Sequence, residues 1–155
     1  DFPALPPSPV EPPPGLLESL GVTRVVDVGR SKYDYLVVLP DEAAVRAVQP
    51  DYRRLREIPT RGVIVTAPSS DPDFDCASRF FAPAVGVDED PVCGSAHCCL
   101  AIYWSRRLGT PRVRAHQVSR REGILHLRPE GDRVILGGHA VVVWSGALTP
   151  VASHV

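Results

Sequence analysis

The sequence predicts an α+β domain in which a mixed or antiparallel sheet is rolled around one buried central helix. Three observations support this fold class. The 155 residues are 44% hydrophobic and 23% charged, as in one ordinary globular domain. Short apolar runs rich in β-branched residues recur along the chain, and these favour strands. One longer segment, Gly94 to Leu108, is apolar on nearly every face, which is typical of a helix that other elements surround.

The first part of the chain combines a proline-rich start with helix and strand patterns. Residues 1–14 contain seven of the 17 prolines, which favours an extended interdomain linker, and residues 15–155 then form the domain itself. The sequence next predicts a short helix that ends at Gly21. Two apolar runs, Val22–Val28 and Tyr35–Leu39, predict a pair of strands.

The middle of the chain carries helix caps, two strands and the central helix. Asp41 and Asp51 are plausible N-caps, since an aspartate side chain accepts hydrogen bonds from the free amides of a first turn. The segments "RGVIVTAP" and "DFDCASRFFAP" predict buried strands. The central helix should then end at Gly109, because glycine favours the position that follows a helix.

The last part of the chain predicts three or four strands of a meander. These strands are "PRVRAHQVS", "GILHLRPEGDRVILGG" with a turn at Pro-Glu-Gly-Asp, and "HAVVVWSGALTP". We expect both tryptophans, Trp104 and Trp144, to lie in the core.

Charge and composition exclude several classes of partner. The net charge is −1 and the arginines are dispersed, so we expect no nucleic acid partner. No apolar stretch has the length of a membrane span, and the cytoplasm is the expected location. The cysteines should be reduced thiols, since Cys98 and Cys99 are adjacent. Their spacing with one histidine is also a poor zinc pattern, so no metal site is expected.

The segment "EDPVCGSAHCC" places reactive groups where the central helix begins. The first amides of a helix lack internal partners and attract anions, Gly94 lets a ligand approach the backbone, and Ser95 adds a hydroxyl. Asp90 could move a proton on such an anion, and the helix dipole should lower the pKa of the Cys93 thiol. His97 follows one turn later and could pair with Cys93. The alternative is a turn aspartate followed by small buried cysteines.

The stretch "RFFAPAVGVDEDPVCGSAHCCLAIYWSRRLG" resembles the C-terminal half of the PhzF-like (phenazine biosynthesis-like) isomerase family. The matching motifs are Arg79 to Pro83, "EDPV" and "GSAH", and both "DFPALPP" and "GGHAVVVWSGAL" also match. The resemblance implies a diaminopimelate-epimerase-like fold of two similar domains with the active site in the cleft between them. It further implies a homodimer and a reaction that uses no metal and no organic cofactor.

The resemblance also implies roles for residues of the motif. Asp90 would face an acid/base glutamate of the first domain, which is not part of this chain. The substrate would bind at the helix start, at Gly94, Ser95, Ala96 and His97. The implied function is the C-terminal half of an isomerase or epimerase that shifts a proton on a small carboxylate-bearing substrate. It would need an N-terminal domain on the same or another chain.

Two questions stay open at the level of sequence. Cys93 stands where the phenazine enzyme commonly has threonine, so it is either a tolerated replacement or an acid/base residue. The second reading resembles the cysteine of cofactor-independent amino acid epimerases and proline racemases. The chain itself is either part of such an isomerase or a non-catalytic binding module of the same fold that acts through a protein partner.

Overall fold

The structure is a computed structural model and describes residues 1–147. Within these residues the chain forms nine strands: β1 (Phe2–Pro3), β2 (Ser8–Pro9), β3 (Asp27–Arg30), β4 (Asp34–Val38), β5 (Gly62–Pro68), β6 (Cys76–Phe81), β7 (Val113–Gln117), β8 (Gly123–Glu130) and β9 (Arg133–Gly137). The same residues form four α-helices: α1 (Leu16–Leu20), α2 (Glu42–Ala47), α3 (Tyr52–Leu55) and α4 (Gly94–Leu108). None of these helices has the length and apolar character that a membrane crossing requires.

The nine strands of the described chain join in one mixed sheet with the order β1-β9-β8-β7-β6-β5-β4-β3-β2. The β4–β5 and β6–β7 pairs are parallel and the other pairs are antiparallel. β1 and β2 form the two edges, yet only residues 4–7 separate them. A flat sheet of this size would be about 38 Å wide, whereas this connection reaches at most about 18 Å. The sheet must therefore curl until its edges approach each other.

Helix α4 lies inside the curled sheet, which confirms the predicted architecture. It packs against β1, β7, β8 and β9. Its buried side chains share one core with inward-facing strand residues such as Leu36, Ile64 and Leu127. Trp104 belongs to this core, where its indole N–H donates to the Thr66 hydroxyl at 3.1 Å.

The three short helices cover the outer face of β4, β5 and β6. Val37, Val63 and Val65 point into this second core, together with the helix residues Leu16 and Leu20. β4 and β5 are thus buried on both faces, which explains why most of their residues are apolar. β8 is buried on one face only, so its buried and exposed residues alternate.

Several local predictions are confirmed. The Asp41 side chain accepts a hydrogen bond from the Ala44 amide at 2.8 Å, and Asp51 caps α3 in the same way. The central helix runs from Gly94 to Leu108, and Gly109 follows it with a left-handed φ of 66°. β3 and β4 pair as predicted, and β7, β8 and β9 form the antiparallel meander.

Three predictions about apolar residues are wrong. The strand expected at Val22–Val28 begins at Asp27, because the Val22 amide instead donates to Leu17 and closes helix α1. No strand forms in residues 139–147, where β9 already pairs with β8 on one side and β1 on the other. Trp144 lies in this segment and is 80% exposed, so it is not a core residue. The rest of the expected last strand, residues 148–150, lies outside the described residues.

The proline-rich start is extended, and it contributes both edge strands of the sheet. The Ala4 amide donates to the Asp132 carbonyl at 2.8 Å, and the Val10 amide donates to Val28 at 3.1 Å. Leu5, between the two strands, packs into the core around α4. Residues 1–14 thus tie the two edges of the sheet together, and their role as an interdomain linker stays a prediction.

Candidate functional site

Helix α4 begins without a side-chain cap. Cys93 precedes it in an extended conformation, with φ of −99° and ψ of 105°, and makes no side-chain capping hydrogen bond. The first helical bond runs from the His97 amide to the Cys93 carbonyl at 3.2 Å. The amides of Gly94, Ser95 and Ala96 consequently have no carbonyl partner within the helix, and they lie at the positive end of its dipole. An anion is the natural ligand of such a helix start.

The loop before the helix is held by a partly buried arginine on β6. Arg79 donates to both carboxylate oxygens of Glu89, at 2.7 and 3.0 Å, and to the Val48 carbonyl at 2.7 Å. Its guanidinium lies over the Phe81 ring, 4.9 Å from the centroid. A two-pronged pair of this kind fixes both the position and the orientation of Glu89. The acidic loop therefore has a defined position beside the helix start.

Two polar residues that follow α4 in the chain, Gln117 and Ser119, also hold the loop in place. Gln117 at the end of β7 is fully buried and spans the loop. Its amide nitrogen donates to the Asp90 carbonyl at 2.6 Å, and its oxygen accepts from the Cys93 amide at 2.9 Å. The Ser119 hydroxyl donates to the Pro91 carbonyl at 2.6 Å. These bonds connect the backbone around Asp90 and Cys93 to the sheet.

The carboxylate of Asp90 takes part in a local turn. One of its oxygens accepts a hydrogen bond from the Val92 amide at 3.0 Å. This is the arrangement of an Asx turn, in which an aspartate side chain replaces a backbone carbonyl. The residue as a whole is only partly buried. The turn observation agrees with the structural reading of Asp90, and its catalytic role stays a prediction.

The Cys93 thiol lies against the Ser95 hydroxyl, with 3.3 Å between sulfur and oxygen. Burial is the largest influence on this thiol and raises its pKa, and hydrogen bonds from the Ser95 hydroxyl and the Ala96 amide oppose that effect only in part. The expectation of a lowered pKa is therefore wrong. Cys93 is only 8% exposed, and burial of this kind disfavours the charged thiolate.

His97 is buried beneath the loop and does not pair with the thiol. Its Nδ1 donates to the Cys93 carbonyl at 2.7 Å, and its Nε2 has no partner among the described residues. Burial lowers the pKa of His97 to about 4, so the ring is neutral near pH 7. The imidazole thus supports the backbone of the loop. Its predicted part in substrate binding stays a prediction.

The structure adds a residue that the sequence analysis missed. Arg61 lies directly before β5, and its guanidinium donates to the Ser95 hydroxyl at 3.0 Å. The same guanidinium forms a two-pronged ion pair with Asp34, whose side chain is fully buried. Arg61 and Ser95 are 34 residues apart, so no local pattern could have indicated this contact. It brings a positive charge to the start of α4.

The remaining cysteines are structural by position. Cys76, Cys98 and Cys99 are buried free thiols, and no disulfide forms among the described cysteines. Burial raises the pKa of each, to about 12 for Cys99. Within residues 1–147, no three histidine, cysteine or acidic side chains are grouped in a way that could hold a metal ion.

Comparison with known proteins agrees with this architecture. The sequence model of the family described as "Phenazine biosynthesis-like protein" (PhzC-PhzF) matches residues 21–146. Two proteins of Pseudomonas aeruginosa, each named an uncharacterized isomerase, are 49% and 52% identical over 148 residues. Both matches cover 96% of this chain and 56% of the relative. The chain thus spans little more than half the length of these relatives.

A solved structure shows the same fold. It is the crystal structure of a PhzF-family phenazine biosynthesis protein from Enterococcus faecalis, with a TM-score of 0.82 and 38% identity. The match covers 88% of this chain and 52% of that one. The fold is thus the diaminopimelate-epimerase-like fold that the sequence resemblance implies. The chain belongs to the phenazine biosynthesis-like (PhzC-PhzF) protein family.

Proposed function

We propose that this chain forms one wall of the active site of an isomerase that shifts a proton on a small carboxylate-bearing substrate. The observation that carries the proposal is the uncapped start of α4, where amides without carbonyl partners and the Ser95 hydroxyl lie beside the Arg61 guanidinium. The names of the Pseudomonas relatives support the reaction class.

The chemistry follows from the bound carboxylate. A base removes a proton from a carbon next to that group or conjugated with it, and the electron pair left behind spreads onto the carboxylate oxygens. The amides of Gly94, Ser95 and Ala96 would stabilise this charge by hydrogen bonding. Return of the proton at another carbon, or on the opposite face of the same carbon, completes the isomerisation. No metal or organic cofactor is required for these steps.

Asp90 and Cys93 are the proposed acid/base groups of this wall. The partly buried carboxylate of Asp90 lies one short loop before the helix start. The Cys93 thiol touches Ser95, one of the proposed anion ligands. Proton transfer at two positions or faces needs a second group, which we assign to an N-terminal partner domain on the same or another chain. The structural reading of Cys93, as a replacement without catalytic role, is tested together with this proposal.

The exposed segment after β9 supports a partner domain. Val141, Val142, Val143 and Trp144 are 80 to 90% exposed, although the family match extends to residue 146. A run of β-branched and aromatic residues is typical of a strand, and its exposure is costly unless another surface covers it. We propose that an N-terminal domain, on the same or another chain, covers it. A homodimer and a cytoplasmic location remain parts of the proposal.

The same segment favours the alternative function. A binding module would use this apolar run to hold a protein partner without any catalysis. The two functions differ at the helix start, because only the isomerase needs acid/base groups there. Variants of Asp90 and Cys93 would then leave the function of a binding module unchanged.

Proton exchange in D₂O tests the proposed function. The complete polypeptide that carries this chain is incubated with a panel of small carboxylic acids, and deuterium uptake at carbon is followed by mass spectrometry. We expect uptake that falls about 100-fold or more in Asp90→Asn or Cys93→Ser. Glu130→Gln, an exposed change at the end of β8, is the control. Uptake that neither variant reduces would contradict the assigned roles.

Carboxylate binding is measured separately on the chain itself. Titration with the same acids, followed by amide NMR, should shift the signals of Gly94, Ser95 and Ala96 before others. Because Cys93 is a protonated thiol under these conditions, the Ser95 hydroxyl is free to donate to the acid, and Ser95→Ala should weaken this binding. If none of the acids moves these amide signals, the helix start is not the anion site and the proposed function fails.

A further inference from the structure

Arg61 is held more firmly than an ordinary surface arginine. Its Nε donates to Asp34 at 2.8 Å, and its Nη2 contacts the second oxygen of the same carboxylate. The guanidinium also lies 5.1 Å from the centroid of the Tyr33 ring and 5.6 Å from that of Phe80. Because the Asp34 side chain is fully buried, movement of Arg61 would leave an uncompensated charge. Its position beside the helix start is therefore fixed by the fold.

The contact between Arg61 and Ser95 has a defined direction. A guanidinium has only N–H donors, so the Ser95 oxygen must accept this hydrogen bond. The single proton of the hydroxyl is then free to point elsewhere, and the Cys93 sulfur lies 3.3 Å from the same oxygen. An ionised sulfur can only accept. A Cys93 thiolate would therefore accept a hydrogen bond from the Ser95 hydroxyl, while Arg61 donates a hydrogen bond to the oxygen of the same hydroxyl.

These contacts form one chain from a buried carboxylate to the thiol: Asp34, Arg61, Ser95 and Cys93. We propose that Arg61 is a positioning residue that orients the Ser95 hydroxyl toward the Cys93 sulfur and thereby stabilises the thiolate. The purpose of this device rests on the proposed function, in which Cys93 exchanges a proton with substrate. The coupling of Arg61 to the thiol does not depend on that function, because it can be measured without any substrate.

Other charged groups near the thiol enter the same balance. The Asp90 carboxylate disfavours the thiolate and the Arg61 guanidinium favours it, while the Cys98 thiol on the next turn is a further titrating neighbour. Burial, the largest influence, opposes ionisation. Arg61 and Ser95 thus offset part of a penalty that the fold itself imposes. Their removal should make the thiol still harder to ionise.

The test measures how fast Cys93 is alkylated by iodoacetamide as the pH is raised, with the modified site located by mass spectrometry. Arg61→Gln should move the midpoint of this profile to higher pH by about one pH unit, a tenfold weaker acid. At a fixed pH below the midpoint, the rate should fall about threefold to fourfold, because a more basic thiolate is also more nucleophilic. Arg114→Gln removes an equal charge from the exposed end of β7 and is the matched control.

A double-mutant cycle separates positioning from a direct charge effect. Ser95→Ala should move the midpoint in the same direction as Arg61→Gln. If Arg61 acts through the hydroxyl, the double variant moves by less than the sum of the two single shifts, and its excess over Ser95→Ala alone measures the direct effect of the guanidinium charge. Additive shifts would overturn the proposal, because they would mean that the guanidinium acts on the sulfur without Ser95. An unchanged midpoint in either single variant would overturn it as well.

Loss of Arg61 leaves Asp34 unpaired, so the single variant can fail to fold. The double change Asp34→Asn with Arg61→Gln removes both charges and should fold while showing the same shift. Failure of the proposed function and failure of the proposed coupling can be told apart by experiment. Absence of proton exchange with an intact shift of the thiol profile would reject the isomerase and retain the coupling, whereas exchange with an unchanged profile would do the reverse.

Discussion

Gln117 offers the most quantitative test of how the site is built. Its side chain is fully buried and joins the Asp90 carbonyl to the Cys93 amide, as donor to the first and acceptor from the second. Gln117→Glu keeps the shape of the side chain and exchanges the donating NH₂ for an oxygen. An ionised carboxylate cannot donate to Asp90, but a protonated one can. The variant should therefore fold with a neutral carboxyl group.

The cost of that proton depends on pH in a calculable way. The unfolded variant ionises near the ordinary pKa of glutamate, about 4.3, whereas the folded variant has a raised pKa. The free energy of unfolding of the variant therefore carries no pH-dependent deficit relative to the wild type below about pH 4.3. Above that pH the deficit grows by about 1.4 kcal/mol per pH unit. At about pH 7 the deficit reaches at most about 3.7 kcal/mol. This is a large fraction of the stability of a typical domain.

Urea unfolding of the variant and the wild type between about pH 4.5 and pH 7 measures this difference. Gln117→Met is the control, since it loses both hydrogen bonds without adding a titrating group and should show a deficit that does not change with pH. A deficit of Gln117→Glu that is equally independent of pH would refute the reasoning. Full stability of Gln117→Glu at neutral pH would also refute it, because the Asp90 carbonyl would then tolerate an ionised carboxylate facing it.

Three further changes test other parts of the fold. Gly123→Ala should cost about 1–3 kcal/mol in urea unfolding, since its new methyl group would overlap Val92, and adding Val92→Ala should restore most of the loss. Burial acts to raise the pKa of Glu42, but hydrogen bonds from two serines and an arginine outweigh it and lower the pKa to about 2. Glu42→Gln should thus cost about 3 kcal/mol at neutral pH, and the difference should vanish as the pH falls from the ordinary value of 4.5 toward 2. Trp104→Phe removes the donor to Thr66 and part of a buried ring, so we expect a loss of about 2–4 kcal/mol in the same assay. Equal stability of any of these variants and the wild type would contradict the corresponding contact.

Much of the fold was predictable because its signals are local. The central helix has matching start and stop residues at Gly94 and Gly109, and the aspartate caps lie directly before their helices. Two-sided burial explains the apolar run of β5, and one-sided burial explains the alternation in β8. The motif around Cys93 likewise marks the site, since helix start, glycine and hydroxyl are adjacent in sequence.

The failed predictions concern partners that the sequence does not place. The Val22 amide could serve a strand or the end of α1, and only the folded chain assigns it to the helix. Residues 139–147 have the composition of a strand, but a strand forms only where a neighbouring edge is available. The pKa of Cys93 depends on how deeply the thiol is buried, which no pattern of spacing reports.

The sequence by itself determined the class of fold, the central helix and the motif at its start, because these depend on periodicity and on residues that are neighbours along the chain. Tertiary structure alone decided which distant residues support that motif. Arg61 reaches Ser95, and Gln117 reaches the loop, only because the curled sheet brings the ends of β5 and β7 to the start of α4. Long-range contacts of this kind follow from the packing of the whole chain.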